Sequence, residues 1–77
     1  MTRLPSITAK IMEAALFKLG FKRVRQKGSH AFYRHPDGRT TTVPHHVGRD
    51  LARPLVHDIL QDIGLSSDEF KDVLDSL

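Results

Sequence analysis

The sequence predicts an α+β fold, in which a three-stranded antiparallel sheet carries two helices on one face in the order α-β-β-β-α, with a short C-terminal helix after them. Three observations predict it. Two apolar stripes of helical spacing bracket the chain's middle: Ile11, Met12, Ala15, Leu16, Leu19 and then Leu55, Val56, Ile59, Leu60, Ile63. Between them lie short runs rich in aromatic and β-branched residues, as strands are. Pro36-Asp37-Gly38 divides two of these runs with strong turn chemistry. Proline presets φ, aspartate bonds the following backbone, and glycine supplies the positive φ that closes a hairpin.

Each element has its own signal. Leu4-Pro5-Ser6-Ile7 leads in, and Ser6 or Thr8 is placed to cap the first helix. Gly20 ends that helix, with Lys18 near the negative end of its dipole. Phe17 falls off the stripe and is expected to be partly exposed. A first strand runs from Phe21 to Lys27, with Phe21 packed under the helix. The three-residue spacing of Phe21 and Val24 breaks alternation, which predicts a bulge or a late strand start. Lys27-Gly28-Ser29 makes a tight connection into a second strand, His30 to His35.

Period two puts His30, Phe32 and Arg34 on one face of that strand and Ala31, Tyr33 and His35 on the other. Ala31 and Tyr33 are assigned inward, because the reverse choice drives His30 and Arg34 into the core. The third strand spans Arg39 to Val43, ended by Pro44, and His45 to Asp50 form a loop. Pro54 suits the first turn of the second helix, which Gly64 stops. Ser66 with Glu69 is a capping-box signature for the last helix, whose Phe70, Val73, Leu74 and Leu77 are expected to cover the core. Both main helices pack economically on one face and leave the other open. Double-stranded RNA-binding domains share this architecture.

The 77 residues suit one small domain. Without cysteine, neither disulfides nor thiolate chemistry is available. No apolar run approaches the roughly 20 residues of a membrane span, and Met1-Thr2-Arg3-Leu4-Pro5 lacks a leader's apolar core. A cytoplasmic, monomeric protein is expected. The net charge of +3 hides an asymmetry: residues 1–49 carry ten Lys/Arg against Glu13 and Asp37, whereas residues 50–77 carry Arg53 and Lys71 against seven acids. Lys22, Arg23, Arg25 and Lys27 are concentrated directly before a histidine-rich hairpin, and four of the five histidines fall within residues 30–46. Such a cluster of cations points to a polyanion partner, nucleic acid above all.

Specific motifs narrow this. Leu19-Gly20-Phe21, Arg25-Gln26-Lys27-Gly28-Ser29-His30, Arg34-His35-Pro36-Asp37-Gly38-Arg39, Thr42-Val43-Pro44-His45-His46, Ile59-Leu60 and Ile63-Gly64-Leu65 occur in order across nearly the whole chain. In this it closely resembles the HicA family of mRNA interferase toxins. The resemblance implies a double-stranded-RNA-binding-like fold, metal-independent cleavage of mRNA, no cofactor, and a cognate HicB-type antitoxin that occludes the site. It also implies that His30, the histidine of Gly-Ser-His, is catalytic. Two positions depart from the family pattern: Ala31 stands where relatives often carry a larger or polar residue, and Arg53-Pro54-Leu55 replaces the commoner Gly-Thr-Leu.

The chemistry needs little. RNA supplies its own nucleophile, the 2′-hydroxyl. Cleavage then requires a group to take its proton, a group to assist the leaving 5′-oxygen, and positive charge on the phosphorane. Imidazole suits proton transfer, because its ordinary pKa of about 6.5 leaves both forms available near neutrality. Lys27 and Arg34 flank His30 as phosphate partners, with Ser29 a hydrogen-bond donor; Lys22, Arg23, Arg25 and Arg39 extend the basic set. His35 is assigned to organising the turn. For His45 and His46 three roles stay open: phosphate binding, a second acid–base group, or capping the loop. A zinc reading is weaker, since adjacent His45 and His46 point apart and metal sites want three or four convergent ligands. The rival from another class is a non-catalytic RNA-binding module of the same fold, or a partner protein whose basic face docks an acidic antitoxin surface.

Overall fold

The computed structural model describes residues 4–77; Met1, Thr2 and Arg3, part of the stretch read for a leader, lie outside it. The elements are α1 (Ala9–Lys18), β1 (Lys22–Lys27), β2 (His30–Arg34), β3 (Thr40–Pro44), α2 (Arg53–Ile63) and α3 (Ser67–Asp75). The sheet is antiparallel in the order β1-β2-β3, so β2 is central and hydrogen-bonded on both sides. No helix among the described residues is long and apolar enough to cross a membrane.

Thr8 caps α1, its hydroxyl accepting from Ile11 N–H at 3.2 Å. Burial centres on Met12 and Leu16 with Ala9 and Ala15, and Leu19 packs at the margin. Ile11, expected in the stripe, is 40% exposed. It lies about 100° around the helix axis from Met12, too far for the sheet to cover. α2 buries Val56, Ile59, Leu60 and Ile63, and α3 inserts Phe70. The capping box forms as predicted, with Ser66 and Glu69 exchanging bonds at 2.9 and 3.1 Å. Leu77 is exposed instead of core-covering, because α3 ends at Asp75 and the chain leaves its apolar face.

The sheet sends Ala31, Tyr33, Thr41 and Val43 toward the helices, where all four are buried. Thr41, buried at 4% exposure, donates its hydroxyl to Asp62 at 3.0 Å. β1 differs in kind: all six residues are exposed, an edge strand whose lysines and arginines also discourage edge-to-edge pairing. It begins at Lys22 and not Phe21, which is buried ahead of it, and its register shifts between Arg23 and Arg25. The expected bulge therefore sits at Val24, 58% exposed. His35 falls just past β2, and Pro44 is included in β3, pairing with His30. A proline is tolerated there because β3 is the other edge.

Candidate functional site

The β1–β2 connection has two residues, Gly28 and Ser29, between the paired Lys27 and His30. Gly28 has φ +58° and, among the described residues, none other than glycine has positive φ, the pattern of a type II′ turn with glycine at its first central position. That turn places His30 at the start of β2 on the face away from the helices, exposed to solvent. Pairing carries the face outward in both directions. Lys27 stands opposite His30, Arg25 opposite Phe32, and Lys22 opposite Arg34 on β1; Pro44, Thr42 and Thr40 stand opposite the same three residues on β3.

Among the described residues the open face thus holds four permanent cations, one imidazole and no acid. Among the described residues, none of Lys22, Arg25, Lys27 and Arg34 has a carboxylate at ion-pair distance. Like charges directly opposite on a sheet, such as Lys22 and Arg34, repel. A surface carrying that repulsion without an internal counter-charge is suited to an external polyanion. At its centre the Arg25 guanidinium lies 4.7 Å from the centroid of the half-buried Phe32 ring.

Four other residues of the predicted basic set are turned away from this face, three of them to the helix side. Arg23 points to the helix side, where its guanidinium is 3.6 Å from Glu13. His45 and His46 return there as well, and with Lys10, Glu13, Arg23 and Arg49 they line a cleft of about 450 Å³. A tight network forms its base. The Tyr33 hydroxyl donates to Glu13 Oε2 at 2.5 Å, so His45 Nε2–H, 2.9 Å away, donates to the phenol oxygen. Burial first, then the bond to the Glu13 carboxylate and its charge, hold the Tyr33 phenol well above its ordinary range. The His45 backbone N–H in turn donates to the Ser29 carbonyl at 2.6 Å, which fastens the turn that presents His30.

Arg39 has a third setting. Its Nε donates to Asp37 Oδ2 at 2.8 Å, Nη1 donates to the Ile63 carbonyl, and the guanidinium lies 5.3 Å from the Phe21 ring centroid. It ties the hairpin tip to the C-terminus of α2, satisfying a carbonyl that the helix leaves open. The Asp37 carboxyl is held below its usual range, chiefly by the Arg39 backbone N–H and then by the Arg39 side chain. His35 completes the turn: its Nδ1 accepts from Asp37 N–H at 3.1 Å, and its ring meets Phe21 edge-on at 5.1 Å. Among the described residues no group of three or more histidine or acidic side chains converges as a metal-binding set.

Glu13 and Tyr33 are the polar residues that the sequence reading did not place in the site: Glu13 entered only the charge balance, and Tyr33 only the inward face of β2. Their signal was present: Glu13 is one of two acids in the first 49 residues, and Tyr33 is the only tyrosine. A comparison with curated proteins finds no match. A comparison with protein families matches the one described as the HicA toxin of bacterial toxin-antitoxin over residues 9–65, from α1 through the end of α2. That span contains the turn, the open face and all of the cleft's lining but Thr8, and the chain belongs to the HicA toxin family.

Proposed function

We propose that this chain is an endoribonuclease toxin that cuts mRNA without a metal, with His30 as the acid–base group and a HicB-type antitoxin as its inhibitor. The observation that carries the reading is the placement of His30: an exposed imidazole, one turn residue after a glycine of positive φ, on a cationic face without acids. In the reaction His30 takes the 2′-hydroxyl proton as the 2′-oxygen attacks the adjacent phosphorus. The bond to the 5′-oxygen breaks, and the proton held by His30 passes to that oxygen, directly or through water, which returns the imidazole to its starting form. A 2′,3′-cyclic phosphate and a 5′-hydroxyl end result, with no change in oxidation state. Lys27, paired with His30, and Arg25 and Arg34 on the same face offset the charge that builds on the phosphorane. Glycine at the turn lets the RNA backbone approach closely. The same acid-free face suits an antitoxin that presents carboxylates, so inhibitor and RNA compete for one surface.

The test is cleavage of RNA in the presence of a chelator, with the new ends identified as cyclic phosphate and 5′-hydroxyl. His30→Ala is expected to keep its fold, within about 0.5 kcal/mol, because the side chain is exposed. It should lose about 10²- to 10⁴-fold in cleavage while still binding RNA. A folded His30→Ala protein that cuts like the parent overturns the mechanism. A parent that binds RNA but never cuts it leaves the non-catalytic binding module as the function.

A further inference from the structure

We propose that the open face takes unpaired RNA and that Phe32 with Arg25 forms the platform on which one base stacks beside His30. The proposal rests on the reading of this face as an RNA site and names the form of RNA it accepts. Phe32 is the only aromatic residue on that face; Phe21, Tyr33 and Phe70 are buried in the core, and Phe17 packs edge-on to Tyr33 on the helix side. It occupies the central strand, with Arg25 on one flank and Thr42 on the other. The Arg25 guanidinium lies over one face of the ring, 4.7 Å from the centroid, so a base stacks on the outer side of that planar cation or on the ring's opposite face. Bases stack on both kinds of surface, and every base has a π-face to offer.

Charge alone does not separate single-stranded from double-stranded RNA, since both present phosphates. The platform does. A paired base inside a helix has both faces covered by its neighbours, and only an unpaired one is free to lie on Phe32. Spacing supports the coupling to chemistry. Phe32 and His30 are two residues apart on one face of one strand, about 6.6 Å, comparable to one nucleotide step. A phosphate adjoining the stacked base therefore falls at His30, with Lys27 and Arg34 at either end of the strand to hold its neighbours.

Binding is measured in the His30→Ala background, where RNA stays intact, with a short unstructured oligoribonucleotide and a blunt duplex of the same sequence as probes. Phe32→Leu should weaken binding of the oligoribonucleotide by about tenfold, within the roughly 5- to 150-fold range of one lost base stack. The salt dependence should keep its slope, because the phosphate contacts remain. Phe32→Trp should keep the affinity, and since the chain contains no other tryptophan, its fluorescence should be quenched as the oligoribonucleotide binds. The duplex should bind more weakly and be indifferent to both changes. Oligoribonucleotide binding insensitive to Phe32→Leu, an unquenched tryptophan, or duplex binding that depends equally on Phe32 overturns the proposal. If Phe32→Leu fails to fold, the tryptophan signal decides. A parent that binds and cuts RNA while ignoring Phe32 removes the stacking platform alone; one that binds neither probe removes the RNA reading with it.

Discussion

Tyr33→Phe isolates the network beneath the turn, because it removes one oxygen and nothing else. The ring keeps its place in the core and its edge contact with Phe17, 6.2 Å between centroids, so no cavity opens. What goes is the donor to Glu13 and the acceptor for His45. A hydrogen bond to an ionised group nets about 1.5–3 kcal/mol. The Glu13 side chain is 18% exposed and keeps Arg23 at 3.6 Å, so water and that cation recover part of the loss. The expected destabilisation is about 1–2 kcal/mol, or about 5–15 °C in melting temperature for a chain of this size.

The pH dependence sharpens the same test. The phenol is held above its ordinary range in the folded state, whereas in the unfolded chain it ionises near about 10. The stability it contributes is therefore fully present below about pH 10 and falls as pH rises past it, by up to about 1.4 kcal/mol per unit. Thermal melts across the alkaline range, in the His30→Ala background, should show a steep loss in the parent and a flatter limb in Tyr33→Phe. A variant that melts within about 2 °C of the parent at neutral pH and shares its alkaline limb refutes the network as a source of stability.

Two further substitutions separate scaffold from site. Arg39→Gln should destabilise by about 1–2 kcal/mol, because it frees the hairpin tip from Ile63, Asp37 and Phe21, with little change in RNA affinity; Arg34→Gln should do the reverse, as melts and binding isotherms read side by side will report. Gly28→Ala meets no atom within 4 Å of the added Cβ, so its cost is backbone strain at φ +58°, about 1–2 kcal/mol in denaturant unfolding.

The legible parts of the fold are those set by short-range rules. The stripes placed Met12, Leu16, Ile59 and Ile63 in the core, and the argument that charged residues avoid the interior set the faces of β2. The misplacements fall at margins. Ile11 is one residue around from the buried centre of α1, and Leu77 lies just past the end of α3. The candidate site was legible as a cluster but not as a geometry. Ser29 and His30 and the open-face cations follow from the hairpin, whereas the turning of Arg23, His45 and Arg39 to other partners depends on residues far along the chain: Glu13, Tyr33 and Ile63. Pairings at that separation leave no local pattern to read.

The bulge at Val24 links these levels. With strict alternation from Lys27, the residues Arg25, Arg23 and Phe21 would share one face of β1, which would set the Phe21 ring among the open-face cations. The extra residue between Arg23 and Arg25 changes the parity. Lys27, Arg25 and Lys22 then point outward, while Gln26, Arg23 and Phe21 point to the helix side. Re-aiming side chains is what bulges do. Here one inserted residue lets the core take Phe21, lets Glu13 take Arg23 with Gln26 bonded to it at 3.0 Å, and leaves Arg25 over Phe32. Counting cations along residues 22–27 therefore overstates the open face by one and understates its order. The arginine taken away holds the carboxylate under the turn, and the one left behind stacks over Phe32 beside His30.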